Sequence, residues 1–219
     1  MINIAIDGPS AAGKSTIAKR LAKMLNYRYL DTGAMYRCVA FKAKALGIEL
    51  DDERRIMAML QDTIISFDKE RNIYLDGENV SDAIRSKENS LAASTVSLLK
   101  EVRADMVRRQ REIAEKQPGI IMDGRDIGSV VLPRAELKIF LNASPEVRAA
   151  RRYQELQDKN IPCELTEILA EVIQRDKQDS ERKNSPLIKC ADAIEVDSTS
   201  LSIDEVSELI YQLAIEKGA

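Results

Sequence analysis

Residues 8–15 read GPSAAGKS, which sets two glycines, a lysine and a hydroxyl at the spacing of the Walker A pattern G-x-x-x-x-G-K-[ST]. Glycines at those places let the backbone curl until successive N–H groups face a polyphosphate. A helix opening near Ser15 would add the positive end of its dipole and its unpaired amides. Gly8, Pro9, Ser10, Ala11, Ala12, Gly13, Lys14, Ser15 and Thr16 are therefore candidate nucleotide contacts. Lys14 would neutralise the β- and γ-phosphates, and the Ser15 hydroxyl could ligate Mg²⁺. A Gly/Ala turn that merely contains Lys-Ser is the plainer reading. The apolar strand before it and the helical pattern after it count against that. Asp123 closes the apolar run Ile120–Asp123 and could hold Mg²⁺ through water, although a strand-end Asp equally caps turns.

Composition removes whole classes of chemistry. None of the 219 residues is His, which excludes imidazole catalysis and His-ligated metals. Cys38, Cys163 and Cys190 are widely spaced and odd in number, so neither a zinc ribbon nor a disulfide framework is expected. They read as reduced thiols of a cytoplasmic protein. The net charge of −3 and the absence of Trp argue against a nucleic-acid partner. The opening MINIAIDGPS is too short an apolar run for a signal peptide, and no stretch reaches membrane-spanning length.

The elements that would position these residues alternate. The pattern predicts strands at 2–7, 27–30, 120–123, 137–141 and 193–197, and helices at 15–25, 32–46, 52–61 and 98–116. Gln117, Pro118 and Gly119 stop the last of these. Ser144 with Pro145 opens a helix to about Asp158, and another runs to about Glu181 after a loop near 160–163. Ser202 and Glu205 form a capping box for a final helix. Three short strands at 63–68, 72–75 and 78–80, with Asp76-Gly77 as a hairpin signal, interrupt the alternation. The fold class expected is α/β: a parallel sheet of about five strands flanked by helices, with a small inserted antiparallel lobe.

Residues 31–37 (DTGAMYR), residues 123–128 (DGRDIG) and the segment from Arg175 to Arg182 accompany the Walker A stretch. Together they closely resemble bacterial cytidylate kinases, nearly end to end. The resemblance implies a P-loop nucleoside-monophosphate kinase that uses ATP and Mg²⁺ to phosphorylate CMP or dCMP, and UMP less well. It implies one kinase domain over 1–219. The core is then about 1–60, 96–150 and 183–219, the acceptor lobe about 61–95 and the helical lid about 151–182. Thr32, Arg37, Arg125 and Arg182 would handle the acceptor phosphate. Ser94, Arg103 and Asp126 would read cytosine, and Arg175 and Asp179 would lie near the sugar. Lys14, Arg125, Arg148 and Arg152 would be catalytic, with Arg151 a further lid arginine. A monomer is expected.

The residue types suit that reading. Cytosine presents an amine at N4 and acceptors at N3 and O2, which a carboxylate such as Asp126 and an arginine such as Arg103 can pair. Uracil reverses that polarity. A phosphate monoester has a second pKa of about 6, so the acceptor oxygen needs no histidine to ionise it. Alignment and cations are what remain to be supplied, and Arg provides both. By spacing alone, Arg148, Arg151 and Arg152 equally fit ion pairs with Glu146 or Glu155, and Asp179 could simply pair with Arg182. Another phosphoryl acceptor stays open. A GTPase-type switch would require an N-K-x-D segment, which the chain lacks.

Overall fold

A computed structural model describes residues 1–68, 70–116 and 119–219; the expected helix stop at Gln117 and Pro118 lies outside them. In chain order the elements are β1 (Ile4–Asp7), α1 (Lys14–Leu25), β2 (Arg28–Asp31), α2 (Thr32–Ala45), α3 (Glu53–Gln61), β3 (Ile65–Phe67), β4 (Ile73–Leu75), β5 (Glu78–Asn79), α4 (Lys87–Val96) and α5 (Lys100–Glu115). They continue with β6 (Ile120–Gly124), β7 (Leu137–Asn142), α6 (Pro145–Asp158), α7 (Leu165–Glu181), β8 (Ile194–Asp197) and α8 (Ile203–Glu216). Two compact units result, one of Met1–Leu30 with Lys116–Ala219 and one of Asp31–Glu115.

The first unit is the parallel sheet, in the order β2-β6-β1-β7-β8. All four residues of β1 are buried, which is why its sequence is a continuous apolar run ending in one acid. Register sets Ile6 opposite Asp123 and Asp7 opposite Gly124, so the segments leaving β1 and β6 start side by side. That is the carboxyl edge of the central strands, where open α/β sheets bind ligands. Helix α1 buries Ile17, Ala18, Leu21 and Ala22 against Ile4 and Ile6. Helix α8 adds Val206, Ile210 and Ala214 to the same core. Each fully buried Ile contributes about 1.5–3 kcal/mol. The capping box is present: Ser202 Oγ accepts from Glu205 N, and the Glu205 carboxylate accepts from Ser202 N.

The second unit holds the antiparallel sheet β3-β4-β5. Asp76 and Gly77 both take positive φ, 51° and 88°, as a two-residue hairpin turn requires. Ile73, Leu75, Val80 and Ile84 pack with Ala34 and Cys38 of α2. Sequence periodicity does not foresee α4. Its buried side chains are Asn89, Ala92, Ala93, Ser94 and Val96, too small and polar to draw an apolar stripe. The π-helical turn Ile127–Val131 is a second unforeseen element.

Candidate active site

The loop after β1 is shaped for an anion. A Cβ at Gly8 would lie 2.0 Å from the Leu141 carbonyl oxygen, so the chain passes β7 there only without a side chain. Ala11 and Gly13 take positive φ, 57° and 85°, which curls the amides inward. Gly13 is the N-cap of α1 and no side chain caps that end, so the helix presents its own N–H groups. Lys14 is buried and donates to the Pro9 carbonyl at 2.7 Å. Burial, and then the Arg125 charge, push the Lys14 ammonium well below the usual lysine range; Asp123 opposes them. A polyphosphate would add negative charge to that of Asp123, Asp179 and Asp7 around the ammonium.

Ser15 donates to Asp123 Oδ2 at 2.8 Å, and the Tyr29 hydroxyl donates to Asp123 Oδ1 at 2.7 Å. Asp123 thus accepts the hydrogen bond of the Ser15 hydroxyl, which leaves the lone pairs of Ser15 Oγ for a cation. No cluster of three or more His, Cys, Asp or Glu able to hold a metal occurs among the described residues. A hydroxyl backed by one carboxylate suits Mg²⁺, which keeps several waters and takes its other oxygens from phosphates.

Beyond β6 the chain carries a charge cluster. Arg125 Nε donates to Asp179 Oδ2 at 2.6 Å, and Arg175 Nε lies 3.6 Å from the same oxygen. Burial alone would raise the Asp179 carboxyl, but the charges of Arg125 and Arg175 hold it below the usual range. Arg182 donates to the Ser185 carbonyl, and its guanidinium lies 3.9 Å from Asp126 Oδ1. Asp126 is buried. Among the expected acceptor residues, Arg125, Asp126, Arg175, Asp179 and Arg182 are therefore neighbours in one network.

The arginines expected to serve a lid, Arg148, Arg151 and Arg152, are each engaged with protein groups. Arg148 is buried and donates to Ala143 O, to Ser10 O and, through two nitrogens, to Asp176. Arg152 pairs with Glu155 at 2.8 Å, the i,i+3 partner that spacing allowed. Arg151 donates to Ser198.

In the second unit, Asp31 caps α2 by accepting from Ala34 N and also accepts from Arg37 at 2.8 Å. Thr32 opens that helix and is buried. Arg103 donates to Ser97 O at 3.0 Å and stacks 5.5 Å from the Tyr36 ring centre, a cation–π contact. Buried Ser94 lies on the unforeseen helix α4.

A family model described as cytidylate kinase matches residues 4–216. The chain belongs to the cytidylate kinase family. Among curated relatives named cytidylate kinase, that of Caldanaerobacter subterraneus is 50% identical over 217 residues, covering 99% of this chain and 96% of the relative. Those of Geobacillus kaustophilus and Bacillus anthracis are 47% and 48% identical, covering 99% and 98% of this chain and 97% and 96% of the relatives. A solved structure of an uncharacterized protein from Eubacterium ventriosum aligns at TM-score 0.52 with 14% identity, over 98% of both chains. A gluconokinase structure from Sinorhizobium meliloti aligns at TM-score 0.50 with 11% identity, over 99% of this chain and 97% of that one. These two likenesses concern the fold.

Within this cytidylate kinase family member, three contacts escape sequence reasoning. Tyr29 on Asp123, Asp176 on Arg148 and Asp7 on the turn after Asp126 pair residues 28 to 120 positions apart. The spacing of residues along the chain carries no signal of them. Only Asp7, an acid ending an otherwise apolar strand, is unusual enough to draw notice.

Proposed function

We propose that this chain carries out the reaction of its family, transfer of the γ-phosphoryl group of ATP to CMP or dCMP, with UMP a poorer acceptor. The observation that carries the site assignment is the Ser15–Asp123 bond beside an anion-shaped loop that holds buried Lys14. Residues 8–16 hold the donor polyphosphate, chiefly through the backbone N–H groups that follow Pro9, and Lys14 neutralises charge at the transferring end. Ser15, with Asp123 acting through water, would hold Mg²⁺, which when bound with ATP screens the phosphate oxygens from the incoming nucleophile.

The acceptor phosphate, with a second pKa of about 6, is largely dianionic at neutral pH and needs no general base. Arg125, Arg182, Thr32 and Arg37 are the residues we assign to orienting it. Asp126, Arg103 and Ser94 read cytosine, and Arg175 and Asp179 meet the sugar. Arg152 gives up its exposed partner Glu155 when residues 151–182 act as a lid. Arg148 would join it by exchanging Asp176 for a phosphoryl oxygen. Closure of such a lid over the bound nucleotides excludes competing water.

The same reading has the chain acting as a monomer in the cytoplasm, with neither nucleic acid nor membrane as a partner. Cys38, Cys163 and Cys190 are free thiols, in keeping with a reducing compartment. No helix among the described residues is long and apolar enough to cross a membrane. Initial rates with CMP, dCMP, UMP, AMP and GMP at fixed ATP and magnesium test the assignment. The cytosine nucleotides should be fastest and UMP slower. Equal rates on the purine acceptors, or ATP turnover indifferent to any acceptor, would defeat it.

A further inference from the structure

Asp7 ends β1, directly precedes Gly8, and is buried. Its carboxylate accepts from two successive backbone amides, Ile127 N at 2.8 Å and Gly128 N at 2.7 Å. These open the π-helical turn 127–131, whose N-cap residue is Asp126. Asp is among the best side chains for capping its own helix. Here the Asp126 side chain makes no cap hydrogen bond. The cap is supplied instead from a neighbouring strand, by Asp7. The fit is close: a Cβ at Gly128 would come within 3.1 Å of Lys138 Cδ and 3.4 Å of Asp7 Oδ2.

We infer that Asp7 is a positioning residue for acceptor recognition: by capping the 127–131 turn it keeps the Asp126 carboxylate available to the base of the incoming monophosphate. The inference rests on the reading of Asp126 given above. Asp7 touches no substrate in it. In Asp7→Asn the side chain offers one acceptor, and its amide N–H₂ faces the other donor, so one amide of the turn loses its partner. An Asp at the N-cap position is the local side chain suited to replace it, and each turn of the Asp126 carboxylate toward the cap would withdraw it from the base.

The test measures kcat and KM for CMP, UMP and ATP in Asp7→Asn, with Asp126→Ala in parallel. Expected for Asp7→Asn is a loss of about tenfold in kcat/KM for CMP and a similar fall in the CMP-over-UMP preference, with KM for ATP within about twofold of wild type. A residue that only held the fold together would slow all substrates alike and leave the preference unmoved. If Asp126→Ala abolishes the preference and Asp7→Asn leaves it intact, the inference alone fails. If Asp126→Ala also leaves it intact, the base-reading role of Asp126 fails first and takes the inference with it. Should Asp7→Asn not fold, Asp7→Glu, which keeps the carboxylate but displaces it by one methylene from the two amides, must reproduce the loss of preference. Failure of both variants to fold would make the contact a foundation of the sheet and overturn the inference.

Discussion

The Ser15 hydroxyl donates to Asp123 Oδ2 at 2.8 Å, joining the first turn of α1 to the end of β6. Neighbouring parallel strands bring the two together although 108 positions separate them. The bond consumes the serine proton and so fixes the direction of its remaining lone pairs. Asp123→Ala frees that hydroxyl to rotate. The expected outcome is a rise of about 10–100-fold in the magnesium concentration needed for half-maximal rate. A magnesium titration at saturating ATP and CMP checks it, and an unshifted midpoint would remove Asp123 from the metal site.

Lys14 is buried, and burial together with the Arg125 charge pushes its ammonium down against the pull of Asp123, Asp179 and Asp7. Lys14→Met keeps the length and apolar character of the stem while deleting the charge. Activity should fall by about 10²–10³ in kcat, the cost of losing one preorganised cation at the transferring group. Tm should stay within about 4 °C of wild type, because a buried charge is removed and the stem still packs. Near-normal kcat would deny Lys14 its role.

Arg152 and Glu155 form an exposed i,i+3 pair, and such pairs are worth at most about 1 kcal/mol. A purely structural Arg152 could therefore be replaced with little consequence. Acting on phosphate, it could not. Arg152→Ala should lower kcat by at least about tenfold while Tm moves by no more than about 4 °C. Unchanged kcat would leave Arg152 as a surface ion pair.

Much of the first unit was legible because its central strands β1 and β6 are buried on both faces and its helices α1 and α8 carry apolar stripes. The run Ile120–Asp123, the Ser202–Glu205 box and the Walker A spacing each announce themselves within a few residues. Helix α4 was not legible, since its inward side chains are alanines, serine and asparagine. The π-helical turn was hidden for another reason: its cap comes from Asp7, far off in the chain. Local patterns reveal local interactions, and what joins β1 to the segment after β6 is not local. The same holds for Arg148, whose guanidinium lies on Asp176, 28 positions away, and on Ser10 O, 138 positions away.

Asp7 also gives the chain a pH signature. Burial, opposed by the bonds from Gly128 and Ile127, pushes its carboxyl from the usual 3.8 up to about 6. The folded state therefore holds this proton more tightly than the unfolded state does. The stability it contributes is fully present below about pH 3.8 and is lost as pH rises through about 6, a change of roughly 3 kcal/mol. Asp179 has the opposite sign, because its carboxyl is held below 3.8 and its contribution fades only in stronger acid. Glu155 and Glu205, held below their usual 4.5, also respond between about pH 4 and 6, so the comparison with Asp7→Asn is what isolates Asp7. Urea unfolding of wild type and Asp7→Asn at pH 4 and pH 7 should show the asparagine variant gaining about 2–3 kcal/mol relative to wild type across that interval. A pH-independent difference would mean that Asp7 is an ordinary carboxylate and that its two amide bonds offset its burial in full.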